Sequence, residues 1–336
     1  MNKKQINALL LSKKMLQSGI KWKLVETHIS FVLLGKPLAY KFKKEIKYSF
    51  LDFSTLKKRK YFCEQELLLN NRLSKGVYLK VVPILRINNE LIIDGKGGKI
   101  IEYALQMKRL QEAKQMHLML DNKLVTKRHI EVLALLIRNF HRKATVIKTK
   151  FNPQHFASRF NDIRSVSAFI KTALGPASLE KLEKAVRVSD YFLKTHHDLF
   201  VQRVQGGFIR DCHGDLHSRN IFLYHRPVVF DCIEFNDEFR QIDLLDELAF
   251  FCMDLEAVGF YKLSRAFTDH YFSKTKNEFG KKEQLLFTYY KCYRANVRAK
   301  VNALRAMQAA GPMLKINMAD VNKYMVLLNS YLAELR

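Results

Sequence analysis

Between His213 and Asp231 the chain reads HGDLHSRNIFLYHRPVVFD, and no other stretch restricts the fold so tightly. Ile221 to Leu223 and Val228 to Phe230 are apolar runs flanking a turn that contains Pro227, the pattern of a short hairpin. Phe208 to Arg210 is strand-like, and His213 to Asn220 is a polar loop. A strand, a loop and a tight hairpin in that order return the end of the second hairpin strand to the loop. Asp231 is then expected to face Asn220, with Asp215 nearby.

Two carboxylates and an amide in this arrangement suit phosphoryl transfer, where a protein mainly positions groups and neutralises charge. An amide oxygen and a carboxylate are hard ligands for Mg2+. A carboxylate five residues before the Asn can accept the proton of an attacking hydroxyl. On that reading Asp215 is the base, and Asn220 and Asp231 hold the metal. Two other readings stay open: a metal-hydrolase cluster with His213, Asp215 and His217 as ligands, and a plain turn with a capping Asp.

The HGDLHxxN pattern formed by His213, Asp215 and Asn220 resembles the catalytic loop of the protein-kinase-like fold, in particular the aminoglycoside phosphotransferase group of small-molecule kinases. Asp231 matches that group's metal-binding Asp, and Glu234 matches the acidic residue that often follows it. Asp243 and Glu247, in QIDLLDELA, resemble the GDPxxDLA segment that anchors the loop. In such loops the His braces the backbone, which is the role expected of His213; His217 and Arg219 either face the transferred phosphate or lie at the surface.

The resemblance implies an upstream lobe with a paired Lys and Glu. Ile29 to Leu34 and Leu38 to Lys44 read as strands joined at Gly35 to Pro37. Lys43 aligns with the phosphate-binding Lys of the related kinases; Lys41, on the same face one register away, is the alternative. Ser54 or Thr55 opens a helical run carrying Glu66, the expected partner of that Lys. No GxGxxG is present, and DGKGGK at Asp94 to Lys99 lacks the GK[ST] ending of a P-loop. Thr27, His28 and Ser30 are weak candidates for a phosphate lid.

After Lys99 the sequence reads IIEYALQMKRL, a buried strand expected to turn into a helix. The resemblance makes this the hinge, with backbone groups of Glu102, Tyr103 and Ala104 meeting adenine and Met107 lining its pocket. The remainder carries helical periodicity. The expected fold class is therefore α+β, a protein-kinase-like two-lobed fold. Residues 1–102 form an antiparallel-sheet nucleotide lobe, and residues 103–336 a mainly helical catalytic and acceptor lobe.

With 336 residues and 48% apolar composition, the chain is long enough to bury an ample core. No apolar run reaches the length of a membrane span. The first nineteen residues read as an amphipathic helix on the sheet lobe rather than a signal peptide. Five scattered Cys, at 63, 212, 232, 252 and 292, imply reduced thiols and a cytoplasmic location.

A net charge of +26 keeps a nucleic-acid-binding reading alive, supported by Tyr289, Tyr290 and Tyr293 interleaved with Arg294, Arg298 and Lys300. Between Asp231 and Glu256, by contrast, nine acidic residues face the single basic Arg240, a local field that hints at a cationic acceptor. Segments along the whole chain resemble an uncharacterised bacterial branch in which the kinase-like domain is fused to a P-loop ATP-binding domain. This sequence resembles the kinase-like half alone. The resemblance implies an ATP- and Mg2+-dependent transfer to the hydroxyl of a small molecule, with an ATP-binding pseudokinase as the second reading.

Overall fold

A computed structural model describes residues 1–273 and 279–335 of the chain; residues 274–278 and Arg336, part of the expected helical region, lie outside the described residues. Two compact units emerge, one of residues 1–124 and 219–240, the other of residues 125–218 and 241–336. The expected boundary at residue 102 falls inside a strand, Lys99–Lys108.

The first unit is built on a six-stranded antiparallel sheet. Its spatial order is Lys23–Glu26, Ser30–Leu34, Leu38–Lys43, Lys99–Lys108, Tyr78–Ile87 and Glu90–Ile93. Strand alternation sorts the side chains. Phe31, Leu33, Tyr40 and Phe42 enter one apolar cluster with Ile6 and Leu9 of the Lys3–Leu10 helix, so the N-terminal helix covers that face. Each fully buried side chain of this size contributes about 1.5–3 kcal/mol. Ala39, Lys41 and Lys43 have the opposite parity to Tyr40 and Phe42. They therefore share the other face, and both lysines reach the Leu56–Asn70 helix through Glu66.

That helix starts where Thr55 accepts a hydrogen bond from the Lys58 amide, an N-cap that satisfies an otherwise orphaned donor. Ile221–Phe222 and Val228–Val229 form the expected hairpin, with Ile221 opposite Val229. The hairpin is moored by the Leu223 amide on the Lys114 carbonyl (2.8 Å) and by Gln115 Nε2 on the Arg219 carbonyl (2.6 Å).

The second unit is mainly helical. Helices Pro153–Asn161, Pro176–Thr195, Leu244–Glu256, Lys281–Met307 and Gly311–Glu334 contribute to one apolar core. Its small sheet pairs Ile209–Asp211 with Gln241–Asp243. Tyr289, Tyr290 and Tyr293 are buried in this unit, at 0%, 3% and 3% exposure, and Arg294 is bound by Asp246. The interleaved aromatics of the nucleic-acid reading are thus core residues with no base-stacking surface. No helix among the described residues is long and apolar enough to cross a membrane.

Candidate active site

In the first unit, helix and strand spacing bring five charged groups together. The Lys41 ammonium donates to Glu66 at 2.7 Å and to Asp231 at 2.6 Å. Lys43 donates to the other oxygen of Glu66 at 2.8 Å and to Glu234. Lys43, Glu66 and Glu234 are buried, whereas the Asp231 side chain is 42% exposed. Burial opposes the charge on Lys41, but Asp231 and Glu66 outweigh it and hold its pKa well above the ordinary value. Burial likewise opposes ionisation of Glu66, yet Lys41 and Lys43 bring it down to about 2. Glu234 goes the other way: burial outweighs Lys43 and raises it.

The backbone around Asp231 is fixed from three sides. Hairpin pairing sets the Phe230 amide on the Asn220 carbonyl at 3.0 Å, putting Asn220 opposite the residue before Asp231. The Asp231 amide donates to the Tyr78 hydroxyl (3.0 Å), and the Cys232 amide donates to Asn70 Oδ1 (2.9 Å). Asn70 lies one turn after Glu66, so a single helix face grips both the lysines and the Asp231–Cys232 backbone. Asp231 itself has φ +66°, a left-handed conformation that an Asp tolerates better than most residues but that still stores strain. The oxygen-only donor set of Asn220 and Asp231 fits a hard cation such as Mg2+.

Glu102, Tyr103 and Ala104, expected as the adenine hinge, lie within a strand rather than at a turn into a helix. Lys99–Lys108 is one continuous strand, and this part of it is laddered to Tyr78–Ile87 throughout and to Leu38–Lys43 at Ala104. The expected helical turn does not occur because the strand is central in the sheet. Glu102 is buried against Arg59, with Nε at 2.8 Å. Of the lid candidates, the Thr27 and Ser30 hydroxyls lie 2.7 Å apart and close a tight turn.

In the second unit, the loop His213–Ser218 is held by one face of the Leu244–Glu256 helix. Glu247 Oε1 accepts from the amides of His213 and Gly214, both at 2.7 Å. Two successive amides converge on one oxygen because Gly214 adopts φ +86°, which a side chain would resist. Three residues on, Phe250 meets the His217 ring edge-to-face; four further, Asp254 accepts the Ser218 amide at 2.8 Å. The i, i+3, i+7 spacing of Glu247, Phe250 and Asp254 is a helical stripe.

Glu247 Oε2 also meets His141 Nε2 at 2.6 Å, and His141 Nδ1 lies 2.7 Å from the Tyr271 hydroxyl. Burial would raise Glu247, but the bonds and charge of His141, aided by His213 and the Gly214 amide, lower it. His141 and Tyr271 carry no family-like motif, and only helical burial of a polar residue in the 127–141 run signalled the former.

Asp215, about a third exposed, lies 3.3 Å from His217 Nε2, and its amide donates to His213 Nδ1. Burial works against its charge, but His217, then Arg298 and His213, hold its carboxyl well below the usual range. It is therefore ionised at neutral pH and able to accept a proton.

The hydrolase trio does not assemble. Among the described residues, the metal-compatible group close enough to share an ion is His141, Cys212 and Glu247, not His213, Asp215 and His217. Even there, His141 and Glu247 already bond each other directly. All five cysteines are free and buried, and burial pushes the Cys63 thiol up to about 12, so it is inert.

No family model matches the chain. It is 30% identical over 287 residues to uncharacterized proteins of Mycobacterium tuberculosis (strain H37Rv) and Mycobacterium bovis, covering 84% of this chain and 55% of each relative. The chain thus spans about half the length of the curated relatives it matches. Among solved structures, a choline/ethanolamine kinase family protein from Mesorhizobium loti superposes with TM-score 0.56, at 12% identity over 98% of this chain and 97% of that one.

The chain has the protein-kinase-like fold. Choline kinase from Cryptosporidium parvum Iowa II gives TM-score 0.54 at 11% identity, covering 95% and 89% of the two chains. A thermostable mutant of aminoglycoside phosphotransferase APH(4)-Ia gives 0.52 at 10%, covering 96% and 97%. In this fold the sheet unit carries Lys41, Lys43 and Glu66, and the helical unit carries Asp215.

Proposed function

We propose that this chain is an ATP- and Mg2+-dependent phosphotransferase acting on a hydroxyl of a small molecule. The observation that carries this reading is the Lys41 ammonium placed on both Glu66 and Asp231. A Lys held between a helix carboxylate and a candidate metal ligand is poised to meet nucleotide phosphates. Lys41 takes that role in preference to Lys43, whose buried ammonium is committed to Glu66 and Glu234. Glu66 positions Lys41, and the adenine edge meets backbone beyond Lys108 rather than at Glu102 to Ala104.

Asn220 and Asp231 would hold Mg2+, which neutralises phosphate charge. Asp215 accepts the proton of the acceptor hydroxyl as its oxygen bonds to the γ-phosphorus. The bond from that phosphorus to the bridging oxygen breaks, and ADP leaves with the electron pair. The charge on Asp215 is available because His217 and Arg298 favour it. Glu247 keeps the loop amides fixed, so the base stays in place without moving during the reaction.

Asp215→Asn tests this reading. With labelled ATP and a panel of hydroxyl-bearing metabolites, transfer is expected to fall about 100- to 10,000-fold while Mg-ATP binding is kept. A variant that remains fully active, or wild-type protein that binds no Mg-ATP, overturns it. The pseudokinase alternative predicts binding without turnover in the wild type as well.

A further inference from the structure

The acidic stretch that hints at a cationic acceptor is spent on internal partners in the second unit. Asp243 holds Arg203, Asp246 holds Arg294, and Glu256 binds Lys291 and Ser264. Glu247 and Asp254 hold loop amides, as described above. The charge on Asp215 is favoured instead by His217, then by Arg298 and His213, and Asp215 in turn favours the charge on Arg294.

Arg294 and Arg298 lie one turn apart on the Lys281–Met307 helix and so point the same way. Their circumstances differ. Arg294 forms a two-pronged bond to Asp246, at 2.6 and 2.9 Å. Arg298 sits beside Tyr324, with its guanidinium 5.4 Å from the ring centre, and no carboxylate lies within ion-pair distance of it among the described residues. Tyr324, Asp254 and Asp215 favour its charge and the guanidinium bonds the Tyr324 side chain, while its Nε is buried without a hydrogen-bond acceptor among those residues. A guanidinium offers a planar fork that matches a carboxylate or a phosphate, and a buried donor lacking an acceptor is satisfied by such an oxygen anion.

We propose that the acceptor carries an anionic oxygen group, a carboxylate or a phosphate ester, which Arg298 receives beside the hydroxyl presented to Asp215. This rests on the phosphotransferase reading above. A quaternary ammonium at the same place would meet the like charge of Arg298 instead.

The test is calorimetric titration of the purified chain with three probes, sn-glycerol 3-phosphate, glycerate and choline. A salt concentration of about 0.15 M screens the diffuse surface charge. Both anions are expected to bind the wild type, and Arg298→Gln to weaken them at least about tenfold, the worth of a charge-assisted hydrogen bond. Arg298→Lys, which keeps the charge and loses the fork, is expected to recover part of that loss, and choline to show no binding. If one anion binds and the other does not, the class narrows to that anion. Anion affinity unchanged in Arg298→Gln, no anion binding to the wild type, or tighter binding of choline overturns the inference.

Mg-ATP binding is measured on the same samples. Its absence condemns the phosphotransferase reading, and its presence without Arg298-dependent anion binding condemns the acceptor assignment alone.

Discussion

The two units solve the same problem, holding buried charge, in opposite ways. In the sheet unit, Lys41, Lys43, Glu66, Asp231 and Glu234 compensate one another side chain to side chain. In the helical unit, Glu247 spends its charge on the backbone amides of His213 and Gly214 and on His141. The first arrangement can be rewired, because every bond in it joins two side chains. The second cannot, because backbone amides have nowhere else to turn.

The contrast breaks most visibly at the paired lysines. Lys43→Met is expected to leave Glu66 and Glu234 sharing Lys41 in the interior, at a cost of about 3–5 kcal/mol in a denaturant melt. Lys41→Met leaves Glu66 still bonded to Lys43 and Asp231 partly exposed, and is expected to cost about 2 kcal/mol of stability, less than Lys43→Met. Its kcat/KM for ATP is expected to fall about 100-fold or more. If the two variants behave alike, or their roles are exchanged, the assignment of Lys41 over Lys43 is wrong.

Next comes Glu247→Gln, expected to cost about 2 kcal/mol through weaker bonds to the loop amides. Because the folded protein lowers the Glu247 pKa below its ordinary 4.5, its charge stabilises the fold above that pH and the contribution is lost as pH falls through the lower folded value. The stability gap between wild type and variant is therefore expected to close in acid. A gap that widens there shows that the carboxylate is not the charged form in the fold. Smallest is Tyr271→Phe, which removes the hydroxyl at His141 Nδ1 and is expected to cost about 1 kcal/mol. Faster amide hydrogen exchange at His213 and Gly214 in that variant is the sign that the brace extends beyond Glu247.

Much of this was readable in the chain. The hairpin from Ile221 to Val229 and the Glu66 helix follow from alternation, turn chemistry and an N-cap, which are local properties; Asn220 was expected opposite Asp231 and pairs instead with Phe230, one residue earlier. The turn into a helix was expected too early, because a central strand and a strand ending in a helix share the same apolar run. Lys41 and Lys43 were interchangeable by parity, since residues two apart on a strand face the same way. The tyrosines beside Arg294 fit a base-stacking surface as well as a core until burial was known.

By itself, then, the sequence determined the order of Lys, Glu, Asp, Asn and Asp along the chain and, through the resemblance those motifs carry, the fold class, because motif spacing is short-range. Only the tertiary structure decided which lysine reaches Asp231, where the buried acids between Asp231 and Glu256 spend their charge, and that Arg298 favours the charge on Asp215. Those outcomes depend on partners tens to hundreds of residues away, such as Lys41 with Asp231 and His141 with Glu247. No local pattern encodes such pairs; packing of whole elements against one another does.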